Sequence, residues 1–180
     1  MCIRDRLHVI SGELTPDVGR VITPPVTGFI AQETSLDFRE PARALIDAAV
    51  QELRQIERDI AALSEAMATA PEDDQLAADF DRALARAQNA GVWELDARIA
   101  SVLAGLGLGN VALETPLGEM SGGQRRRFAL ATLLLRPVDA MVLDEPTNHL
   151  DDAAVDFLIS ELAAFRGPVL AASHLSLIHI

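Results

Sequence analysis

Four things are scarce in this chain, and each scarcity excludes something. Cys2 is the only cysteine among 180 residues, which rules out an internal disulfide framework and fits a reducing compartment. The longest apolar run, Phe128 to Leu135, is far too short to cross a bilayer, and the opening MCIRDR has no apolar core long enough for a signal peptide. Basic charge is sparse: the net charge is −12 and the pI about 4.6, which weakens any reading in which the whole surface wraps nucleic acid. The one dense basic patch is Arg125-Arg126-Arg127, with Arg136 further along, and its simplest reading is a solvated helix face. Nowhere, finally, is there a glycine-rich loop ending in Gly-Lys-Ser/Thr, the element that cradles nucleoside triphosphates.

What is present suits a folded α/β protein. Hydrophobic residues make up 49% and charged residues 23%, enough apolar material for a core and too little charge for a disordered chain. The length fits one domain, or one domain with an insertion. The two ends stand apart. MCIRDR and the last six residues, LSLIHI, can be encoded by DNA strings that are reverse complements over nearly their whole length. Both resemble the transposon-end adapter of sequencing libraries, translated from opposite strands. Residues 1–6 and 175–180 are therefore expected to be adapter-derived, with the natural protein running from about Leu7 to His174. Cys2 and His179 then have no functional claim, and a genomic read continuing through MCIRDR with unrelated codons would refute the expectation.

Local patterns set out the organisation. LHVISGEL, from Leu7, reads as the tail of a helix, and TPDVG, from Thr15, as a turn. RVITP and TGFIAQ read as two short strands. Ala49, Leu53, Ile56, Ile60, Leu63 and Met67 then recur at alternating spacings of four and three, a coiled-coil seam of about three heptads. TAPEDD breaks it, and Leu76, Phe80, Ala83, Ala87 and Ala90 resume it before Gly91. Two such helices joined by a short turn predict an antiparallel hairpin whose small residues allow close approach. A third helix is predicted from about Trp93 to Leu106, with Leu95, Ile99, Val102, Leu103 and Leu106 on one face and GLGLGN ending it. Beyond it, SGGQRRRFALATLLL reads as a helix stopped by Pro137, DAMVLDE and PVLAAS as buried strands, and Asp152 to Phe165 as the helix between them. That is the βαβ unit of a parallel sheet.

Chemistry gathers at the ends of these elements. MVLDEP delivers Asp144 and Glu145 to the carboxyl end of a strand, where open α/β sheets bind ligands. Successive strand side chains point opposite ways, so Asp144 could meet a magnesium ion while Glu145 orients or deprotonates a water. SGGQ, from Ser121 to Gln124, starts a helix. Ser121 can cap it, and Gly122 and Gly123 place no side chain between the backbone N–H groups and an arriving phosphate. Gln32 ends one strand and His174 another. A Gln can bridge a metal or water to a moving part, and a His can donate to a γ-phosphate. Each feature has a plainer alternative when taken alone: two acids capping a turn, an ordinary capped helix, a solvated Gln or His.

In order along the chain, Gln, a helical insert, SGGQ, VLDEPTNHLD and Ser-His resemble the ABC ATPases, essentially from Leu7 to His174. The resemblance implies a partial P-loop NTPase core with a parallel sheet. Residues 7–38 would carry the partial ATP-binding core and Q-loop, 39–110 an inserted helical subdomain with an antiparallel hairpin, and 111–174 the signature helix, Walker B, D-loop and H-loop. It further implies ATP and Mg2+ as ligands. Ser121, Gly122, Gly123 and Gln124 match the signature motif, Asp144 Walker B, and Glu145 the catalytic glutamate. Gln32 matches the Q-loop, where it would serve both metal and water, Asp151 the D-loop and His174 the H-loop. LHVISGELTPDVGRV resembles what directly follows Gly-Lys-Ser-Thr-Leu in that family, so the phosphate loop is expected upstream of Leu7 and the chain is expected to be an inactive fragment by itself. EPTNHLD and the hairpin resemble the ABC-F class, most of all its first nucleotide-binding domain. This implies a cytoplasmic protein without membrane spans, pairing with a second ABC domain in an ATP sandwich. Its implied partners are the ribosome, with its rRNA and tRNA, in translation or antibiotic resistance. The competing expectation is the nucleotide-binding subunit of an ABC membrane transporter.

Overall fold

The computed structural model describes residues 3–30 and 38–173; Gln32 and His174, two of the expected site residues, lie outside them. At the centre is β2, Ala140–Asp144, with all of its residues buried, as befits a strand covered on both faces. β1, Thr27–Ile30, and β3, Val169–Ala172, flank it in parallel, in the order β1-β2-β3. Ile30 stands opposite Leu143, and Asp144 opposite Ala172, so the strand ends that matter chemically lie level with one another.

Two strand expectations need correction. RVITP forms no strand, and Val21 and Ile22 are exposed. A strand needs a ladder partner; none of the described strands lies beside it, and Pro24 and Pro25 have no N–H to offer one. PVLAAS does form β3 but is not buried, with Val169 36% and Leu170 42% exposed. β3 is an edge among the described strands, paired only with β2.

Helix α1, Ile3–Ser11, packs on β1 and β2, its His8 ring meeting Phe29 edge-on at 5.2 Å. The helical insert follows as α2 (Ala42–Ala49), α3 (Gln51–Thr69), α4 (Asp74–Ala90) and α5 (Leu95–Gly105). Its entrance and exit run side by side: Gly118 N–H donates to Phe38 O at 2.8 Å, Leu117 N–H to Glu40 O at 2.9 Å and Arg43 N–H to Leu113 O at 2.8 Å. α3 and α4 form the expected hairpin, with Ile56, Ala83 and Ala87 buried in its seam while Leu63, Met67, Leu76 and Phe80 are only half-buried. Asp73 caps α4 by accepting from Gln75 and Leu76 N–H groups, and Gly91 ends it at φ +65, a left-handed stop that a Cβ disfavours. The third predicted helix begins as a 3-10 turn, Val92–Glu94, and becomes α-helical at Leu95; Leu95, Val102, Leu103 and Leu106 are buried as expected.

α6, Gly122–Leu135, crosses the interior, and every residue from Phe128 to Leu135 except Thr132 is buried. A helix apolar on all sides belongs inside a core. It lies so close to β1 that a Cβ on Gly28 would stand 2.1 Å from Leu133 Cδ1, so a larger residue there would displace the Leu133 side chain. α7, Asp152–Ala164, links β2 to β3 and packs against α5. No helix among the described residues is long and apolar enough to cross a membrane.

Candidate functional site

The start of α6 is shaped by reciprocal capping. Gln124 N–H donates to Ser121 Oγ at 3.2 Å, and Ser121 N–H donates to Gln124 Oε1 at 2.9 Å, a capping box that satisfies two of the donors a helix start leaves over. Gln124 is thus engaged in shaping the helix start. Ser121 keeps its hydroxyl proton free to donate outward. Gly122 and Gly123 follow in ordinary helical conformation, neither with positive φ. The nearest atom to a Cβ built on Gly122 is Arg125 Nη2 at 3.9 Å, and on Gly123 it is His149 Cβ at 3.6 Å. Both are ordinary contacts, so the chain's own packing would accept alanine at either position.

The end of β2 is built differently from expectation. Asp144, 3% exposed, closes the strand. Glu145 does not continue the alternation: its φ is +51, although its N–H still donates to Ala172 O at 2.8 Å. The backbone leaves the sheet at this residue, so opposite pleat directions do not separate the two carboxylates; a left-handed turn does. That conformation is costly for a residue with a Cβ, and more so before a proline such as Pro146. The turn is held by Asn148 N–H on Glu145 O at 3.2 Å and, beneath it, by Thr147 Oγ1 and Ser173 Oγ at 3.2 Å, which tie the loop to the end of β3. His149 is also left-handed, at φ +68.

The arginine run is not a solvated face. All three side chains are half-buried, and each donates to backbone carbonyls. Arg125 reaches Met120 O at 2.5 Å and Leu117 O at 3.3 Å and lies 5.0 Å over the Phe38 ring. Arg127 reaches Leu106 O at 3.2 Å. Arg126 Nη2 donates to both Asp144 O and Glu145 O, at 2.8 Å each. Burial lowers the pKa of Arg126 from the usual guanidinium value, and the charges of Asp144 and Glu145 oppose that shift. An arginine remains a cation throughout, so the strand end carries a fixed positive charge beneath its two acids.

The structure therefore links α6, which begins with Ser121, Gly122 and Gly123, to the strand end of Asp144 and Glu145 through Arg126, and to the loop beyond through the Gly123–His149 approach. Asp151 sits just beyond, at the start of α7, where its carboxylate accepts from Ala154 N–H at 2.9 Å. Side-chain patterns miss Arg126 and Thr147 because their partners are a carbonyl pair and a distant serine. One signal was available: Arg126 lies four residues after Gly122, on the same helix face.

Comparison with known proteins adds the family. A family model described as ABC transporter matches residues 6–148. The tylosin resistance ATP-binding protein TlrC of Streptomyces fradiae is 37% identical over 176 residues, covering 93% of this chain and 32% of TlrC. The energy-dependent translational throttle protein EttA of Mycobacterium tuberculosis is 32% identical over 171 residues, covering 93% of this chain and 30% of EttA. The chain thus spans about a third of the length of these relatives. Among solved structures, an ATP-binding subunit of an ABC transporter superposes with a TM-score of 0.62 at 14% identity, covering 96% of this chain and 64% of that one. An RNase-L inhibitor does so at 0.58 and 18%, covering 96% and 26%. At such identities the superpositions establish the fold, mixed α/β with a parallel sheet. With the family model spanning most of its length and ABC-F type proteins as its relatives in sequence, the chain belongs to the ABC transporter family of ATP-binding domains.

Proposed function

We propose that these residues serve an ABC-F type ATPase acting on the ribosome, and that the start of α6 receives the terminal phosphate of an ATP held by a second ABC domain. The observation that carries this reading is the pair Gly122 and Gly123. Glycine is a poorer helix former than alanine, yet nothing in the packing or backbone of the described residues demands either one. A group approaching from outside would account for both. Bare N–H groups at a helix start, with the Ser121 hydroxyl beside them, suit a phosphate.

The strand end supplies the acids. Asp144 would hold Mg2+, directly or through water, and Glu145 would orient or deprotonate the attacking water. The donors fit the ion: Mg2+ takes oxygen ligands and needs few of them from protein, and among the described residues no cluster of three or more His, Cys, Asp or Glu competes as a metal site. When bound, the ion neutralises charge on the transferring phosphate. Gln32 and His174 are assigned to the same site as water- or metal-bridging and γ-phosphate-binding residues, and Asp151 to the face between the two domains. Residues 39–110 form the inserted helical subdomain of this reading. ATP-driven closure of two domains, with hydrolysis permitting release, is the mechanism it implies. The names of TlrC and EttA, one a drug-resistance protein and the other a translational throttle, support the ribosome, through rRNA or tRNA, as the partner.

The test uses the whole polypeptide expressed from its gene. It should hydrolyse Mg-ATP, and Glu145→Gln should lower turnover roughly 10²- to 10⁴-fold, the range for losing a general base, while the ATP-loaded variant accumulates on ribosomes in sucrose gradients. Accumulation in the membrane fraction with a permease would favour the transporter subunit instead. The 180 residues alone, which contain no lysine-bearing phosphate loop, should show no turnover; turnover abolished by Glu145→Gln in that short chain would overturn the expectation that it is inactive by itself.

A further inference from the structure

Arg126 joins the two halves of the site at their backbones. It is the fifth residue of α6, and its single Nη2 donates to the carbonyls of Asp144 and Glu145 at 2.8 Å each. Glu145 holds a left-handed conformation ahead of a proline, and strained residues of this kind persist only where their surroundings over-determine them. Among the described residues, the backbone of Glu145 is held where the Ala172 carbonyl takes its N–H and where Asn148 N–H and Arg126 take its carbonyl. Of these only Arg126 comes from another helix, and it is charged, which makes its bonds the strongest of the set. The same helix begins with Ser121, Gly122 and Gly123, and Gly123 also approaches His149 at the far side of the loop.

We propose that Arg126 is a positioning residue that fixes the backbone of Glu145 and couples it to the Ser-Gly-Gly start of α6, so that a phosphate arriving at the helix start bears on the catalytic carboxylate of the same domain. This rests on the functional reading of Glu145 and of the Ser-Gly-Gly helix start. A rigid helix transmits what happens at its first turn to its second, and Arg126 carries it across to the strand end. Its role is to set the angle at which Glu145 leaves the sheet, through the carbonyls of Asp144 and Glu145. Lysine, with a compact point charge in place of a planar fork, would hold the carbonyl pair less well, and glutamine would lose the charge.

Hydrogen exchange on the nucleotide-free protein tests the anchor without any catalysis. In Arg126→Gln the amides of Asn148 and Leu150, bonded within the loop to Glu145 O and Thr147 O, should exchange roughly ten- to a hundredfold faster, the range expected for losing charge-assisted hydrogen bonds. Val142 and Leu143, in the centre of β2, should not change, and Arg126→Lys should fall between. Unchanged loop exchange overturns the proposal. So does a uniform rise across loop and strand in both variants, which would mean that Arg126 only supports the fold. In the whole gene product, kcat for ATP should fall at least about tenfold in Arg126→Gln with the ATP dissociation constant within about twofold; equal losses in both would also overturn it. An unaltered protein with no turnover would sink the ATPase reading, and loop exchange would still decide the anchor.

Discussion

Along the hairpin of α3 and α4, side chains meet side chains; where α6 meets β2, side chains meet backbone carbonyls. The hairpin seam depends on Ile56 clustered with Ala87 and Val92, with Ala83 also buried and half-wet Leu63, Met67, Leu76 and Phe80 towards the tip. The junction depends on Arg126, bonded to the carbonyls of Asp144 and Glu145, while Arg125 and Arg127 tie the same helix start to the carbonyls of Leu117, Met120 and Leu106. Apolar packing tolerates small slides of one helix past another, because its contacts have little direction. Charge-assisted hydrogen bonds to carbonyls lose strength steeply with misalignment. A site that must hold a carboxylate in place is better built the second way.

If this contrast is right, the core beside the junction should be the least forgiving part of the molecule. Phe128 is fully buried on α6, two residues beyond Arg126. Phe128→Ala should cost about 3–5 kcal/mol, measured as a shift in urea midpoint followed by circular dichroism, and a cost below about 1 kcal/mol would erase the contrast. The hairpin base should answer to volume in the opposite direction. Ala87 is fully buried against α3, so Ala87→Leu should overpack the seam and cost about 1–3 kcal/mol. Ala90, one turn on and exposed, should accept leucine with little change. Equal costs at both positions would show that the seam is not where the helices touch.

The same contrast explains what could be read from sequence. The hairpin, α5 and the fully buried β2 were legible because apolar periodicity records which faces are covered. The order of SGGQ and LDEPTNHLD was legible because each marks an element end. RVITP failed as a strand: its β-branched residues satisfy a pattern, but a strand also needs a partner, and two prolines deny it donors. The arginine run was misread for a related reason. Charge spacing shows where cations lie on a helix, not which carbonyls surround them. The left-handed Glu145 left no trace in composition at all, since glutamate is an unusual residue for that region and Pro146 argues against it. Strain of this kind is visible only once the backbone is in place, and it falls where the proposed chemistry lies.

The hairpin tip offers the finest test of the contrast. Apolar cover fades towards it, so local order there should depend on polar caps much as the junction does, though at the surface and without a fixed cation. Ala70 follows the end of α3 and donates its N–H to Ala66 O, and three residues later Asp73 accepts from Gln75 N–H at 2.9 Å and Leu76 N–H at 3.2 Å. No other side chain caps the start of α4. Asp73→Ala should therefore cost about 1 kcal/mol, the usual value for an N-cap, while Asp73→Asn, which keeps an acceptor oxygen, should cost less. Because few apolar contacts join the tip to the base, the loss should stay local: exchange of the Gln75 and Leu76 amides should quicken while the global urea midpoint hardly moves. A midpoint shift as large as the local one would mean that tip and base open together. The hairpin would then be as cooperative as the junction, and the division of labour between loose packing and directed hydrogen bonds would have to be drawn elsewhere.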